Sequence, residues 1–482
     1  MALTAEQHPP GPVPRQMLTD TVAIFRDPLR YLMRMREQFG PVVAFPTPPS
    51  PAWFVDDPAA VDRVLRTNAG NYTKQTVQYG ALSLLTGDGL LTTDNPQWLT
   101  RRRQVNPAFH RRTLDRLVGC VTAAADGLDR ELSALTSATG TGRVDVDGPL
   151  MRATLDVVSR GLFSAELGSP DTGTRHSRGA RAKAGPDIAG AVLVGLEEVM
   201  RRATRPLHAP RSWPTPGNRR LARSLATLDA AIGDVIALRS DGQPGPDPDG
   251  PDVLDLLLAH LGDLRAVRDE AVTLVVAGHE TVASTMEWAA LLLAQHPDWQ
   301  DAVAAEATAV LGRHGAVLGR DGAGCCDAAA VGLADLARLR ITRAVLDETL
   351  RLYPPAWVIT RRATGTDELA GHLLPAGTLV ILSPWVRHRD PVAWAHPDRF
   401  DPARFLDRGE RGRPDLAYLP FGSGPRLCIG RDFALVEATV LLARLILRWR
   451  LAPVARHPVR PHPRVTVRPR GGLPLQVTPR SP

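Results

Sequence analysis

The residues best suited to chemistry lie together near the C-terminus, in the stretch 421–430, which reads FGSGPRLCIG. A thiolate that ligates a haem iron needs backbone N–H groups directed at its sulfur, space for a planar macrocycle against the main chain, and shielding from water. Three glycines here remove side chains, Phe421 can cover the sulfur of Cys428, and Arg426 can pair with an anionic propionate. The alternative is an ordinary buried cysteine in a glycine-rich turn.

The spacing of these residues favours the haem site. The pattern F-x-x-G-x-R-x-C-x-G matches the signature of the cytochrome P-450 superfamily at every fixed position, so the chain resembles a haem-thiolate monooxygenase. The resemblance implies haem b (iron protoporphyrin IX) as the cofactor, with Cys428 as the thiolate ligand of the metal. It also implies that Phe421, Arg426 and Gly430 contact the cofactor.

A second motif lies in the long apolar stretch 271–294, which is predicted to be a buried helix because three charged or titratable residues make a bilayer span costly. Its residues 277–281, AGHET, resemble the family's oxygen-activation segment. Small Ala277 and Gly278 would let a ligand lie against the helix backbone, and Thr281 can bond a carbonyl one turn back. Glu280 beside that hydroxyl forms an acid and alcohol pair able to relay protons, so Glu280 and Thr281 are the predicted catalytic residues.

Further positions resemble the donors that hold the haem propionates. Trp98 and Arg102 form W-x-x-x-R on a predicted helix, which places an indole N–H and a guanidinium on one side. Arg361 and His388 occupy positions that resemble further donors, and the order of the motifs favours Trp98, Arg102 and Arg426 over these two.

An E-x-x-R pair at Glu348 and Arg351 is expected to be structural. The same pattern occurs at Glu198 with Arg201 and at Glu410 with Arg413, and most such pairs are solvated surface ions. Context selects Glu348, because the segment 352–355, LYPP, follows it directly and the segment 400–405, FDPARF, comes later and resembles the family's F-x-P-E-R-F. The resemblance implies a buried triad of Glu348, Arg351 and Arg404, although Ala403 stands where the family usually has Glu.

Composition excludes several other classes of protein. The 482 residues include 58 basic and 51 acidic ones, and the net charge of +7 is spread along the chain, so no nucleic-acid partner is expected. The four cysteines form no C-x-x-C pair, which indicates neither a zinc site nor a disulfide framework. No dinucleotide-binding or phosphate-loop motif is found, and the polar, proline-rich residues 1–14 show no basic-then-apolar pattern, so neither a signal peptide nor a membrane anchor is expected. We therefore expect a soluble, cytoplasmic monomer.

The chain is predicted to be mainly α-helical with small β-sheets, as one domain over 1–482 with an irregular segment at 1–20. Apolar spacing predicts helices and short strands, whereas two segments poor in large apolar residues predict exposed loops. The helices are 187–205, 219–240, 263–296 and 333–353; the strands are 42–45, 53–56, 357–362, 378–382, 464–467 and 475–477; the loops are 164–187 and 240–252. The resemblance implies the cytochrome P-450 fold, with haem between the long helix and the cysteine loop.

The activity that the resemblance implies is insertion of one oxygen atom of O2 into a hydrophobic small molecule, by hydroxylation or epoxidation. Electrons would come from a separate ferredoxin and ferredoxin reductase. The text AGHETVASTMEW is similar to bacterial terpene-oxidising members, which favours a terpenoid or another natural-product intermediate of secondary metabolism. The alternatives are a peroxide-driven haem-thiolate peroxygenase and a non-catalytic haem sensor.

Overall fold

A computed structural model of the protein describes residues 8–47, 50–139, 142–165, 167, 187–204, 209–240, 251–312, 331–406 and 415–480. Most of the two predicted loops lies outside the described residues, as do Cys325, Cys326 and the E-x-x-R pair at Glu410 and Arg413. Within the described residues the chain is mainly helical with small sheets, as predicted.

The helices of the described residues are numbered in chain order. They are α1 (Pro14–Arg26), α2 (Pro28–Phe39), α3 (Pro58–Asp62), α4 (Val77–Thr86), α5 (Gln97–Val105), α6 (Arg111–Thr139), α7 (Asp147–Phe163), α8 (Ile188–Thr204), α9 (Pro216–Ser240), α10 (Val253–Leu261), α11 (Leu264–Gln295), α12 (Pro297–Leu311), α13 (Leu333–Leu336), α14 (Arg340–Leu352), α15 (Pro384–Arg387), α16 (Ala403–Leu406) and α17 (Arg431–Arg448).

The strands assemble from segments that are distant in sequence. They are β1 (Val42–Phe45), β2 (Ala52–Val55), β3 (Tyr72–Thr73), β4 (Arg143–Asp145), β5 (Ile359–Ala363), β6 (Asp367–Leu369), β7 (His372–Leu374), β8 (Leu379–Leu382), β9 (Trp449–Pro453), β10 (Pro461–Pro463), β11 (Val467–Pro469) and β12 (Pro474–Pro479). The sheets have the strand orders β1-β2-β8-β5-β3, β4-β12-β9, β6-β7 and β10-β11. Five of the six predicted strands therefore exist, with boundaries that differ by up to two residues. The predicted strand 464–467 is wrong, because residues 464–466 form a bend and β11 begins only at Val467.

The chain divides into two compact units. The first comprises Met1–Gly80, Asp347–Ile429 and Pro461–Arg468. Its core lies against the five-stranded sheet, where Trp53, Val55 and Val380 have no exposed surface. Strand β2 pairs antiparallel with β1 and parallel with β8, so both of its edges are hydrogen-bonded and its side chains are buried on both faces, which explains the continuous apolar run AWFV.

The second unit comprises Ala81–Leu346, Gly430–Arg460 and Pro469–Pro482. It is built around α11, a 32-residue helix that is apolar around nearly its whole circumference and is largely buried, with α7, α9, α10 and α17 packed against it. The Asp263 carboxylate caps its start by accepting the Arg265 N–H at 3.1 Å, and Pro297 prevents its continuation. The predicted buried helix is thereby confirmed. None of the helices in the described part of the chain combines the length and apolar composition that a bilayer crossing requires.

Two predicted boundaries are wrong. The segment 1–20 is not irregular throughout, because α1 starts at Pro14, a residue whose fixed φ suits the first turn of a helix. The predicted helix 333–353 is two helices, α13 and α14. The carboxylate of Glu306, on α12, accepts the N–H groups of Ile341 and Thr342 at 2.7 and 2.8 Å, and thus starts a new helix at Arg340. The prediction of a single domain stays a prediction.

Candidate functional site

The segment that carries Cys428 is a closed loop in the first unit. The Cys428 N–H donates to the Phe421 carbonyl at 3.0 Å, and inside this ring the Leu427 N–H donates to the Gly424 carbonyl at 3.0 Å. The Gly422 N–H donates to the Leu419 carbonyl at 3.1 Å, which attaches the loop to the preceding chain. The Cys428 side chain is exposed, so its sulfur is accessible to a metal ion.

Glycine is required at two positions of this loop, for reasons that differ. Gly422 (φ +73°) and Gly424 (φ +70°) both adopt the left-handed backbone that other residues rarely tolerate. A Cβ on Gly424 would lie 2.0 Å from the Leu65 carbonyl oxygen, whereas one on Gly422 would meet no atom within 4 Å. Gly424 therefore makes room for the protein's own backbone. Gly430, in the second unit, has a negative φ of −88°, and a Cβ there would be in ordinary contact with Phe109.

The structural triad expected around Glu348 is confirmed within the first unit. Glu348 and Arg351 have no exposed side-chain surface, and the Glu348 carboxylate accepts the Arg351 Nε and Nη2 protons at 2.7 and 2.8 Å. The Arg404 Nε lies 3.4 Å from Glu348 Oε1, and the Asp401 N–H donates to the same oxygen at 2.9 Å. Ala403 therefore leaves the triad intact.

The prediction of His388 as a propionate donor is wrong. Its ring is fully buried, with Nδ1 3.1 Å from the Arg351 carbonyl oxygen and Nε2 accepting the Leu419 N–H at 2.7 Å. Nδ1 must carry the proton, because Nε2 is an acceptor, so both nitrogens are used. Burial lowers the pKa of His388 to about 3, despite the opposing hydrogen bond to Arg351. The ring joins α14 to the residues that precede the cysteine loop.

Arg361 lies in a buried basic cluster that sequence reasoning missed. Its Nη1 donates to the Thr360 carbonyl at 2.8 Å and lies 3.4 Å from the Tyr79 hydroxyl. The Lys74 ammonium lies 4.9 Å from the centre of the Tyr79 ring and is 8% exposed. A buried lysine is unusual, and Lys74 is one of only two lysines in the chain, which is the one sequence signal that could have indicated it.

In the second unit, α5 carries the predicted pair Trp98 and Arg102 one turn apart. Trp98 is buried and Arg102 is partly exposed. Neighbouring Arg101 donates from Nη1 to the buried carboxylate of Glu270, on α11, at 3.2 Å. This contact fixes the face that α5 turns towards α11.

The face of α11 that carries Ala277, Gly278 and Thr281 is open. Between Asp269 and Ala294, these three are the residues of the helix that are not buried. The Thr281 hydroxyl donates to the Ala277 carbonyl at 2.7 Å, as predicted, and Glu280 is buried. A Cβ on Gly278 would lie 2.9 Å from Val158 Cγ2, so Gly278 permits the close approach of α7 as well as leaving backbone accessible.

Each unit, considered by itself, contains groups of the kind that bind an iron porphyrin. The first unit offers an accessible thiol on a hydrogen-bonded loop and a buried basic cluster. The second offers a helix face of small residues around a hydroxyl and a helix with an indole and a guanidinium. A soft thiolate for iron and cations for carboxylates are the donor types that haem requires.

The other E-x-x-R pair in the described chain, Glu198 with Arg201, is not a surface pair as the pattern suggested. Glu198 is 1% exposed, and its two oxygens lie 2.5 Å from Arg201 Nη2 and Arg220 Nη2. Although burial raises the pKa of Glu198, hydrogen bonds from the two arginines lower it below its ordinary value. The contact of Glu198 with Arg220 joins α8 to α9.

We predict that Gly424→Ala destabilises the protein far more than Gly422→Ala. Both variants place a side chain at positive φ, which costs about 1–2 kcal/mol, but only the methyl group added at position 424 would also overlap the Leu65 carbonyl. The free energy of unfolding in urea should fall by more than about 3 kcal/mol for the first variant. Equal losses in the two variants would contradict the close approach.

His388 also predicts a pH dependence of stability. The unfolded chain protonates this residue below about pH 6.5, its ordinary value, whereas the folded chain does so only near pH 3. Stability should therefore fall as the pH is lowered between these values, by up to about 1.4 kcal/mol per pH unit. His388→Gln should be less stable at neutral pH but show a flatter pH dependence in urea unfolding. The control His260→Gln alters an exposed ring and should keep the wild-type slope.

Comparison with known proteins identifies the family of the chain. A family model for cytochrome P-450 matches residues 9–475. The chain is 33% identical over 467 residues to cyclooctatin synthase of Streptomyces melanosporofaciens, covering 95% of this chain and 92% of that one. It is 33% identical over 458 residues to cyclooctat-9-en-7-ol 5-monooxygenase of the same organism, covering 92% and 89%.

Solved structures show the same relationship. The crystal structure of CYP175A1 from one strain of Thermus thermophilus has a TM-score of 0.72 and 31% identity, covering 98% of this chain and 100% of that one. A 6-coordinated cytochrome P-450 from another strain of Thermus thermophilus has a TM-score of 0.66 and 31% identity, covering 94% and 99%. The fold and the enzyme class predicted from the sequence, an oxidoreductase that incorporates molecular oxygen, are confirmed. The chain belongs to the cytochrome P-450 family.

Proposed function

We propose that this monooxygenase binds haem b through the Cys428 thiolate and oxidises a terpenoid or a similar hydrophobic natural product, by hydroxylation or epoxidation. The observation that carries the proposal is the accessible Cys428 side chain on a loop closed by its own backbone hydrogen bonds. Bound haem supplies the iron at which dioxygen is activated and one of its atoms transferred.

The residues proposed to hold the cofactor divide by chemistry. Phe421 shields the sulfur, and the unsubstituted backbone of Gly430, Ala277 and Gly278 gives the macrocycle room. Cations neutralise the propionates and an indole N–H donates a hydrogen bond to them, since charge-assisted hydrogen bonds are the strong ones in a water-poor site. These donors are Trp98, Arg102, Arg361 and Arg426, and the buried ammonium of Lys74, near the Tyr79 ring, is proposed as a further one.

Thr281 and Glu280 are proposed to deliver protons. The Thr281 hydroxyl gives its own proton to the Ala277 carbonyl, so its oxygen lone pairs remain to accept a hydrogen bond from water on the open face of α11. Glu280, buried on the same helix, is the proton reservoir.

The apolar substrate is supported by two kinds of observation. The names of the two Streptomyces melanosporofaciens relatives are those of a cyclooctatin synthase and a cyclooctat-9-en-7-ol 5-monooxygenase. The side chains proposed to line the substrate site are apolar: Leu82, Leu84, Leu85, Trp357, Val358 and Leu473. The indole N–H of Trp357 donates to the Arg464 carbonyl at 2.9 Å, so the one polar group of this side chain already has a partner within the protein.

The electron donors are proposed to be a separate ferredoxin and its reductase. The arginines next to Cys428 in the sequence, Arg426 and Arg431, would suit an acidic donor through electrostatic steering. The monomeric state and the cytoplasmic location predicted from the sequence stay predictions.

Replacement of the proposed ligand tests the core of this function. Cys428→Ser should abolish the red-shifted absorption band of the carbon monoxide complex of the reduced haem protein, whereas Cys120→Ser should keep this band.

A screen of terpenoids with ferredoxin, reductase and isotopically heavy dioxygen should give a product that carries one heavy oxygen atom. Product formed only with peroxide would indicate the peroxygenase, and bound haem without turnover under any condition would indicate the sensor.

Thr281→Ala is expected to uncouple the reaction, because water on the open helix face loses its hydrogen-bond acceptor. The ratio of released peroxide to product should rise by about tenfold or more. Thr285→Ala is the matched control, since the Thr285 hydroxyl also bonds a carbonyl one turn back, at 2.9 Å, but is buried. Unchanged coupling in the Thr281 variant would remove this residue from proton delivery.

A further inference from the structure

Two adjacent carboxylates on α11 hold the segment 87–93 by its backbone. The Asp269 Oδ2 accepts the Asp88 N–H at 3.0 Å, and the Glu270 Oε2 accepts the Leu90 N–H at 3.0 Å. Alternate amides of one segment are therefore bound by consecutive residues of one helix. Glu270 has no exposed surface, so water does not compete for its contact.

Two glycines of this segment let its backbone lie directly on α11. A Cβ on Gly87 would lie 2.2 Å from the Asp269 carboxyl group, and one on Gly89 would lie 2.0 Å from the Thr273 hydroxyl oxygen. Gly87 also has a φ of +67°. The sequence of the segment is thus fitted to this contact at two independent positions.

The second oxygen of each carboxylate binds an arginine. Asp269 Oδ1 accepts from Arg268 Nη1 at 2.8 Å, and Glu270 Oε1 accepts from Arg101 Nη1 at 3.2 Å. Arg101 lies on α5 and is 17% exposed. Because truncating one partner of a buried pair leaves the other charge uncompensated, loss of Glu270 would release both α5 and the segment 87–93.

We propose that Glu270 is a positioning residue that determines which substrates the enzyme binds. It joins the segment after α4, the helix that carries the proposed substrate-contacting leucines, to α5, the helix proposed to hold a propionate. Asp269 supports it through the neighbouring amide. The role in substrate binding rests on the proposed function. The contacts of Asp269 and Glu270 with the segment 87–93 and with Arg101, called the clamp below, all lie within the second unit.

Hydrogen–deuterium exchange tests the clamp without any substrate. In Glu270→Ala the amides of Asp88 and Leu90 should exchange about tenfold faster or more, because one buried hydrogen bond and one ion pair are lost. Glu270→Gln keeps an acceptor for Leu90 and should show a smaller increase. The control Glu131→Gln removes an ion pair with Arg152 between α6 and α7 and should leave these amides unchanged. Unaltered exchange in both Glu270 variants would overturn the clamp.

Azole binding to the haem-loaded protein tests the role in specificity. Phenylimidazole, which reaches beyond the iron, should bind Glu270→Ala with a dissociation constant raised at least about fivefold, whereas imidazole should bind as in the wild type. Faster exchange with both affinities unchanged would overturn the positioning role. If Glu270→Ala does not fold, Glu270→Gln provides both readouts. Failure of the proposed function is seen separately, as a wild-type protein without the thiolate spectrum.

Discussion

The guanidinium of Arg351 has no contact with water, and a buried guanidinium is tolerated only if its N–H groups all find acceptors. Its five donors make five hydrogen bonds. Two go to the Glu348 carboxylate and three go to the carbonyls of His388, Pro397 and Arg399. One side chain of α14 thereby organises the irregular chain that follows α15, where no sheet or long helix provides acceptors and donors.

The effect of this arrangement extends to the proposed ligand through backbone hydrogen bonds. The Arg351 carbonyl meets the His388 ring, and the ring accepts the Leu419 N–H. The Leu419 carbonyl in turn accepts from Gly422, at the start of the cysteine loop. The cysteine loop is therefore linked to the His388 ring, whose burial lowers its pKa and favours the neutral form that accepts this hydrogen bond. In the second unit, the buried carboxylate of Glu270 on α11 likewise has a partner for each oxygen, one backbone amide and one arginine.

Local patterns predicted much of this fold. The apolar run of α11 and five of the six short strands were correctly placed because helical periodicity and β-branched runs are local properties of sequence. The ten-residue cysteine signature and the Glu348 triad were found because their residues have fixed spacing. The failures depended on contacts between distant residues. The break before α14 requires Glu306, the role of His388 requires Arg351 and Leu419, and Lys74 becomes notable only beside Tyr79 and Arg361.

The absent side chain of Gly424 has a practical consequence for engineering. Because the Leu65 carbonyl occupies the space that a Cβ would need, the cysteine loop and the turn at Arg63–Thr67 are shaped to each other although more than 350 residues separate them in the chain. A chimera that imports the ligand loop of a relative without its matching turn would join two surfaces that were never fitted together. Recombination points should therefore be chosen so that both pieces come from the same parent.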